Sequence, residues 1–303
     1  VTAVTAPAPV APSPSTAPPP SARRRRPRIG SILAGIAAIV VFVASVFPVY
    51  WMLNTSFQPN AQIRGSELHF WPDNFTIQNY SNVILGHTRA PFGPALANSV
   101  MVSAITVVVA LLFAFCAALA VTRFRFRSRV TFIVAILIVQ MIPAEAMIIS
   151  IFRLIDGWHL LNSVLGLSAV YIATVLPFTI WTLRGFVNGV PAELEEAAMI
   201  DGLSRSGAFW RITFPLLAPG LVATGIFGFI QAWNEFVFAL VLNPRPEAMT
   251  LPVWLRTFLD PNGGINWAEL MAASTLVAIP VVVFFLFVQN RMTGGLVAGA
   301  VKG

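Results

Sequence analysis

Catalytic and metal chemistry draw on histidine, cysteine, lysine and clustered carboxylates, and this 303-residue chain is poor in them. Its single cysteine, Cys116, sits in an apolar run, which excludes an internal disulfide and a cysteine-based metal site. Its three histidines, His69, His87 and His159, are not at metal-ligand spacing. The single lysine, Lys302, is followed by one glycine. A phosphate-cradling loop needs a lysine that opens a helix, so this chain is not expected to hydrolyse nucleotide itself. Two acids, Glu145 and Glu235, lie inside long apolar stretches, where an ionised side chain is costly and tends to be functional.

The elements that must position these residues are set by composition. Hydrophobic residues make up 57% of the chain and charged residues 10%, with a mean hydropathy of +0.78. A soluble domain has about 25% charged residues. The chain is therefore read as an all-α integral membrane protein. Residues 1–28 are expected to be a disordered, Pro/Ala-rich cytoplasmic tail, with seven prolines in the first 22 residues and then Arg23, Arg24, Arg25, Arg26 and Arg28. The opening resembles a signal peptide, but the charge-free run 30–53 is longer than the ~7–15 residues of a signal core, so it is read as a retained span.

Six spans are expected in the domain 29–303. The second lies within 90–122, and the third runs from 129 to about 152, interrupted by Pro143 and Glu145. The fourth lies within 157–183 around Pro177, the fifth runs over 216–242 with Glu235 inside it, and the sixth over 270–290. With both ends inside, 14 basic residues fall on the cytoplasmic side and 5 on the other, which predicts an even number of spans and cytoplasmic termini. Arginine clusters at span ends read as topology anchors, not as a nucleic-acid surface. Ala110, Ala114 and Ala118 recur every four residues and read as a close-packing face, against either this chain or a partner.

The longest inner loop, within 188–215, is the most informative segment. Pro191 suits the first position of a short helix, and Glu193, Glu195 and Glu196 suit its positive end. Gly202 supplies a left-handed stop. A second short helix is expected from Ser204 or Ser206 to Thr213, ended by Pro215. Together they would form a compact knob suited to a groove on a cytoplasmic partner.

Glu196-Ala197-Ala198, three residues, Gly202, nine residues, then Ile212-x-Phe214-Pro215 resembles the EAA motif of bacterial ABC-importer permeases, with Phe214 in place of the usual leucine. Ala232-Trp233-Asn234-Glu235-Phe236, Thr250-Leu251-Pro252 and the run 295–303 resemble the carbohydrate branch, in particular the smaller permease subunit of maltose-type importers. The resemblance implies a six-helix type I permease of the bacterial cytoplasmic membrane, without catalytic residues, metal or cofactor of its own. It also implies a second permease, two ATPase subunits that bind ATP and magnesium, and an extracytoplasmic solute-binding protein. Glu196, Ala197, Ala198, Asp201, Gly202, Ile212 and Pro215 are the implied ATPase-coupling residues, and Thr250, Leu251 and Pro252 the implied contact to the binding protein.

Asn234, Glu235 and Glu145 are candidate pathway residues. Glu235 either meets a sugar hydroxyl or seals the pathway, or else sits in headgroup water. Glu145 either lines the pathway or bonds to a neighbouring helix. The implied substrate is a di- or oligosaccharide of maltose or trehalose type, with a glycerol-phosphate-like solute as the alternative. An ion-coupled secondary carrier would show internal repeats, and no convincing repeat is present. A membrane-embedded enzyme would need clustered reactive side chains, which the scattered histidines do not provide.

Overall fold

The computed structural model describes residues 29–65, 69–86, 90–259 and 264–300, the side chains of Ile29, Ser31, Ile32 and the residues from 290 onward excepted. The N-terminal tail and its arginines, His87 and Lys302 lie outside these residues. The described residues are helical and contain no strand. Lipid leaves this as one of two options, because each backbone polar group must be satisfied within the spanning segment or in a closed barrel.

Helix α1 spans Ile29–Ser56. The chain divides into two compact units at Pro48, and in the first unit the side chains from Leu33 to Pro48 are exposed, an oily surface suited to lipid or protein. The second unit carries everything else. A one-turn helix α2 (Asn60–Ile63) and α3 (Gln78–Leu85) follow α1. The amide of buried Asn79 on α3 donates to the Ser56 and Gln58 carbonyls at 2.8 and 2.9 Å, satisfying acceptors that the end of α1 leaves open.

The core is built on α4 (Phe92–Arg123), α7 (Val164–Gly189) and α10 (Phe214–Asn234). Ala110, Ala114 and Ala118 are at most 2% exposed. Ala114 and Ala118 pack with Ile180, Leu183 and Val187 of α7 and Leu217 of α10. The small-residue face therefore packs within this chain. Gly220 serves the same purpose from α10, since a Cβ there would meet the Phe186 ring at 2.4 Å.

The third span departs from its expected form. Its two parts are α5 (Arg129–Gln140) and α6 (Ile148–Gly157), joined through Pro143 and a tight turn over Ala144–Met147 and bent by 82°. Twelve residues of α5 rise only about 18 Å, short of a hydrocarbon core of about 30 Å. Pro143 removes a backbone donor and its ring collides with the preceding turn, so the helix cannot run straight to residue 152. Among the described residues five helices are therefore long and apolar enough to span, or six if this bent pair is one span. Ile155 of α6 is buried against Leu167, Tyr171 and Phe238, while Arg153 and Asp156 are exposed.

The fifth span is also broken, at the residue pair Glu235–Phe236, before α11 (Val237–Leu242). Glu235 leaves helical geometry with ψ of 130°, and its carboxylate turns back as a cap. Phe238 N–H donates to Oε1 at 2.8 Å, Ala239 N–H donates to Oε2 at 3.1 Å, and the Tyr171 hydroxyl donates to the same Oε2. At its other end this span begins earlier than expected: a continuous helical stretch runs over 205–234. Pro215 does not end a helix. It sits at the first turn of α10, just after a widened π turn over Phe209–Thr213. A locally widened turn is one way a helix tolerates a residue that lacks its N–H.

The end opposite the 188–215 loop is closed by α12 (Leu251–Leu255) and the start of α13 (Trp267–Ala300). Trp254 is fully buried, donates its indole N–H to the Ala90 carbonyl at 2.9 Å and packs against Phe92 and Phe258. Leu251 N–H donates to the Ser99 hydroxyl at 2.7 Å. The segment after α1 and the segment that leads into α13 are tied together by Arg64 to the Ile265 carbonyl at 2.8 Å and by Asn82 to Glu269 at 2.9 Å.

Trp254→Ala is expected to destabilise the protein by about 3–5 kcal/mol, read as a lowered unfolding midpoint in detergent. Glu235→Ala leaves two amides and a phenol without their acceptor, at about 1–3 kcal/mol for each group that stays buried. Glu235→Gln is expected to recover part of that loss, because one amide oxygen remains to accept. Equal midpoints for the wild type and Glu235→Ala would refute the capping role.

Candidate functional site

The loop within 188–215 builds a knob of two short helices, α8 (Glu193–Ile200) and α9 (Arg205–Ala208). Helix α8 starts two residues later than Pro191, which lies in the turn before it. Its three acids stand in the first turn, where the helix dipole favours negative charge. Its end is closed twice. Gly202 N–H donates to the Met199 carbonyl and Leu203 N–H to the Ala198 carbonyl, both at 3.1 Å. That pair of bonds needs a left-handed residue between them, and Gly202 has φ of +94°. Ser204 then opens α9, its hydroxyl accepting from Gly207 N–H at 3.2 Å.

A buried polar junction fixes the knob to the spans. Glu195 of α8 pairs with Arg123 at the end of α4 at 3.4 Å, each side chain 18% exposed. Arg123 also donates to the Val190 carbonyl at 3.0 Å. The Thr213 hydroxyl, fully buried at the foot of α10, donates to Glu195 Oε1 at 2.7 Å. One carboxylate thus joins α8 to both α4 and α10. Reading the sequence assigned Glu195 only a dipole role. The signal that could have identified it is its position one turn into a helix beside a span that ends in arginine.

The expected coupling residues divide by exposure. Glu196, Ala197, Asp201, Gly202 and Pro215 are exposed, Ala198 is buried and Ile212 is half-buried. The apolar side chains that project from the knob are Leu194, Met199 and Ile200, the last 86% exposed. Sequence reasoning did not single these out, since motif spacing does not show which face of α8 is free.

The structure does not gather the three pathway candidates into one cluster. Glu145 lies exposed in the turn of the bent third span, and its carboxylate makes no hydrogen bond or ion pair among the described residues, which removes the bond to a neighbouring helix within them. Asn234 is exposed and donates to the Ile230 carbonyl at 2.9 Å. Glu235 is half-buried and its oxygens are engaged as the cap described above, so it is not a free headgroup-facing acid. Thr250 and Leu251 are buried and Pro252 is half-buried, forming the start of α12. Exposed side chains among the described residues of that loop include Pro244, Arg245, Glu247, Arg256 and Leu259.

No group of three or more His, Cys, Asp or Glu side chains suited to a metal occurs among the described residues.

Residues 110–294 match the family described as "Binding-protein-dependent transport system inner membrane component". The chain is 43% identical to the diacetylchitobiose uptake system permease protein DasC of Streptomyces coelicolor, over 92% of this chain and 100% of that one. It is 35% identical to the trehalose/maltose transport system permease protein MalG of Thermococcus litoralis, over 90% of this chain and 97% of that one. Its fold matches a chain of a bacterial ABC transporter involved in the import of alginate with a TM-score of 0.75, at 23% identity over 88% of this chain and 97% of that one. The chain belongs to the family of binding-protein-dependent transport system inner membrane components, and is a membrane-embedded ABC-importer permease rather than an enzyme.

Proposed function

We propose that this permease passes a di- or oligosaccharide through the bacterial cytoplasmic membrane, driven by a separate ATPase that docks on the α8–α9 knob. The observation that carries the docking is the knob itself: Leu194, Met199 and Ile200 stand exposed on a segment braced by Glu195. Apolar side chains that project from the end of a membrane domain gain by entering a partner's groove. The sugar class is supported by relatives named for diacetylchitobiose and for trehalose/maltose.

In this reading both termini are cytoplasmic, as the arginine distribution favours. The domain 29–303 pairs with a second, related permease, residues 1–28 form a cytoplasmic tail, and a solute-binding protein delivers substrate to the outer face. ATP and magnesium bind to the partner ATPase pair. Closure of that pair moves the knob as a rigid lever. Because Glu195 is bonded at both the end of α4 and the foot of α10, the push reaches the second and fifth spans together. The breaks at Pro143 and Glu235 are the places where helices bend as access alternates between the two faces. Thr250 and Leu251 hold the outer loop in place, and its exposed side chains face the binding protein.

Gly202→Leu forces a branched side chain into left-handed geometry, at about 1–2 kcal/mol, and distorts the stop that shapes the knob. ATP-driven sugar uptake in proteoliposomes is expected to fall at least tenfold, an order-of-magnitude figure for a knob shifted by about 1.4 kcal/mol or more. Retained uptake would rule out the knob as the coupling element. Glu195→Gln keeps an acceptor for Thr213 and removes the ion pair. It is expected to lower sugar molecules moved per ATP hydrolysed, with hydrolysis itself preserved, and an unchanged ratio would refute the lever.

A further inference from the structure

We propose that the groove between the end of α4 and the α8–α9 loop binds an anionic phospholipid, with its phosphate at Arg205 and an acyl chain along Leu119, Phe124 and Trp210. The groove encloses about 700 Å³. Its wall is oily: Phe124 is 55% exposed and Trp210 is 60% exposed. Its rim is basic and hydroxylic, formed by Arg123, Arg205, Ser204 and Ser206.

The two arginines differ. Arg123 is committed to Glu195 and to the Val190 carbonyl, so the one carboxylate lining the groove is already neutralised. Arg205 has no carboxylate or carbonyl partner among the described residues, and its guanidinium lies 5.8 Å from the centre of the Phe124 ring. The groove therefore carries an uncompensated positive charge over an aromatic wall. The Ser206 hydroxyl, 3.3 Å from that of Ser204, adds a donor at the same rim.

These features select one occupant. A soluble anion would meet the charge and leave the apolar wall in water. An apolar protein segment would cover the wall and bury Arg205 without a counter-ion, which is costly. A phospholipid with a net negative headgroup meets both demands. The position is suitable, because α4 passes here from its apolar run into Arg123, Arg125 and Arg127, where an embedded chain reaches headgroups. The proposal goes beyond the transport reading and needs only that the chain be embedded, whichever face is cytoplasmic.

The test uses the full chain in nanodiscs that carry either brominated phosphatidylglycerol or brominated phosphatidylcholine in a phosphatidylcholine background. Both leaflets then have the same composition, so orientation does not enter. Quenching of Trp210 is isolated as the difference between wild type and Trp210→Phe. The anionic lipid is expected to be held about fivefold more tightly than the zwitterionic one, the magnitude of one arginine at a membrane surface. That preference should fall towards unity in Arg205→Gln and be largely kept in Arg205→Lys. Arg205 is exposed, so neither change threatens folding. Equal quenching by the two lipids, or a preference that Arg205→Gln leaves intact, overturns the proposal. Quenching by neither lipid means that no lipid reaches the groove, and overturns it as well.

Discussion

A backbone amide that loses its helical partner within an apolar run needs another acceptor, and the Glu235 carboxylate shows how this chain meets that constraint. Where α10 stops, two amides of the next turn, Phe238 and Ala239, would be left unpaired. Glu235 accepts from both and from Tyr171. A charged side chain inside an apolar run thus does the work that a capping residue does at a water-exposed helix end. The fifth span can be broken only because that carboxylate is there. The third span is broken at Pro143 by the loss of a donor, and here α6 recovers burial through Ile155. Both breaks put bends in spans that alternating access would use.

The same economy of polar groups governs the inner face. Glu195 is the single acceptor shared by Arg123 and Thr213, and it turns a surface loop into an extension of two spans. Removing one member would leave the others short of partners, which is why the junction is stiff. The Gly202 stop and the Glu195 brace act on the same element from its two ends, one by backbone geometry and one by charge. Between them they leave Leu194, Met199 and Ile200 outward and fixed in position. Arg123 is committed to this junction, whereas Arg205 has no carboxylate or carbonyl partner among the described residues.

The Thr250-Leu251-Pro252 triplet is built into the packing at the start of α12. Leu251 is fully buried and its amide is held by Ser99, while Trp254, one turn on, fills the space beneath Phe92. The segment packs over Ala90 and Phe92, and packing leaves Arg245, Glu247 and Arg256 exposed.

The sequence by itself determined the membrane class, the positions of most spans, the paucity of reactive side chains and the glycine stop at residue 202. Each of these follows from local composition or from one residue's backbone preference. The EAA spacing likewise pointed to the family, because a short helix, a left-handed residue and a returning span need fixed separations. Only the tertiary structure decided what Glu235, Glu195 and Leu251 do. Their roles depend on groups far away in the chain, Tyr171 for the first, Arg123 and Thr213 for the second, Ser99 for the third. It also decided that Pro215 is carried within a helix and that Pro143 turns one. A proline's effect depends on whether the neighbouring turns can widen or the next segment can find burial elsewhere, and neither condition is written in the local sequence.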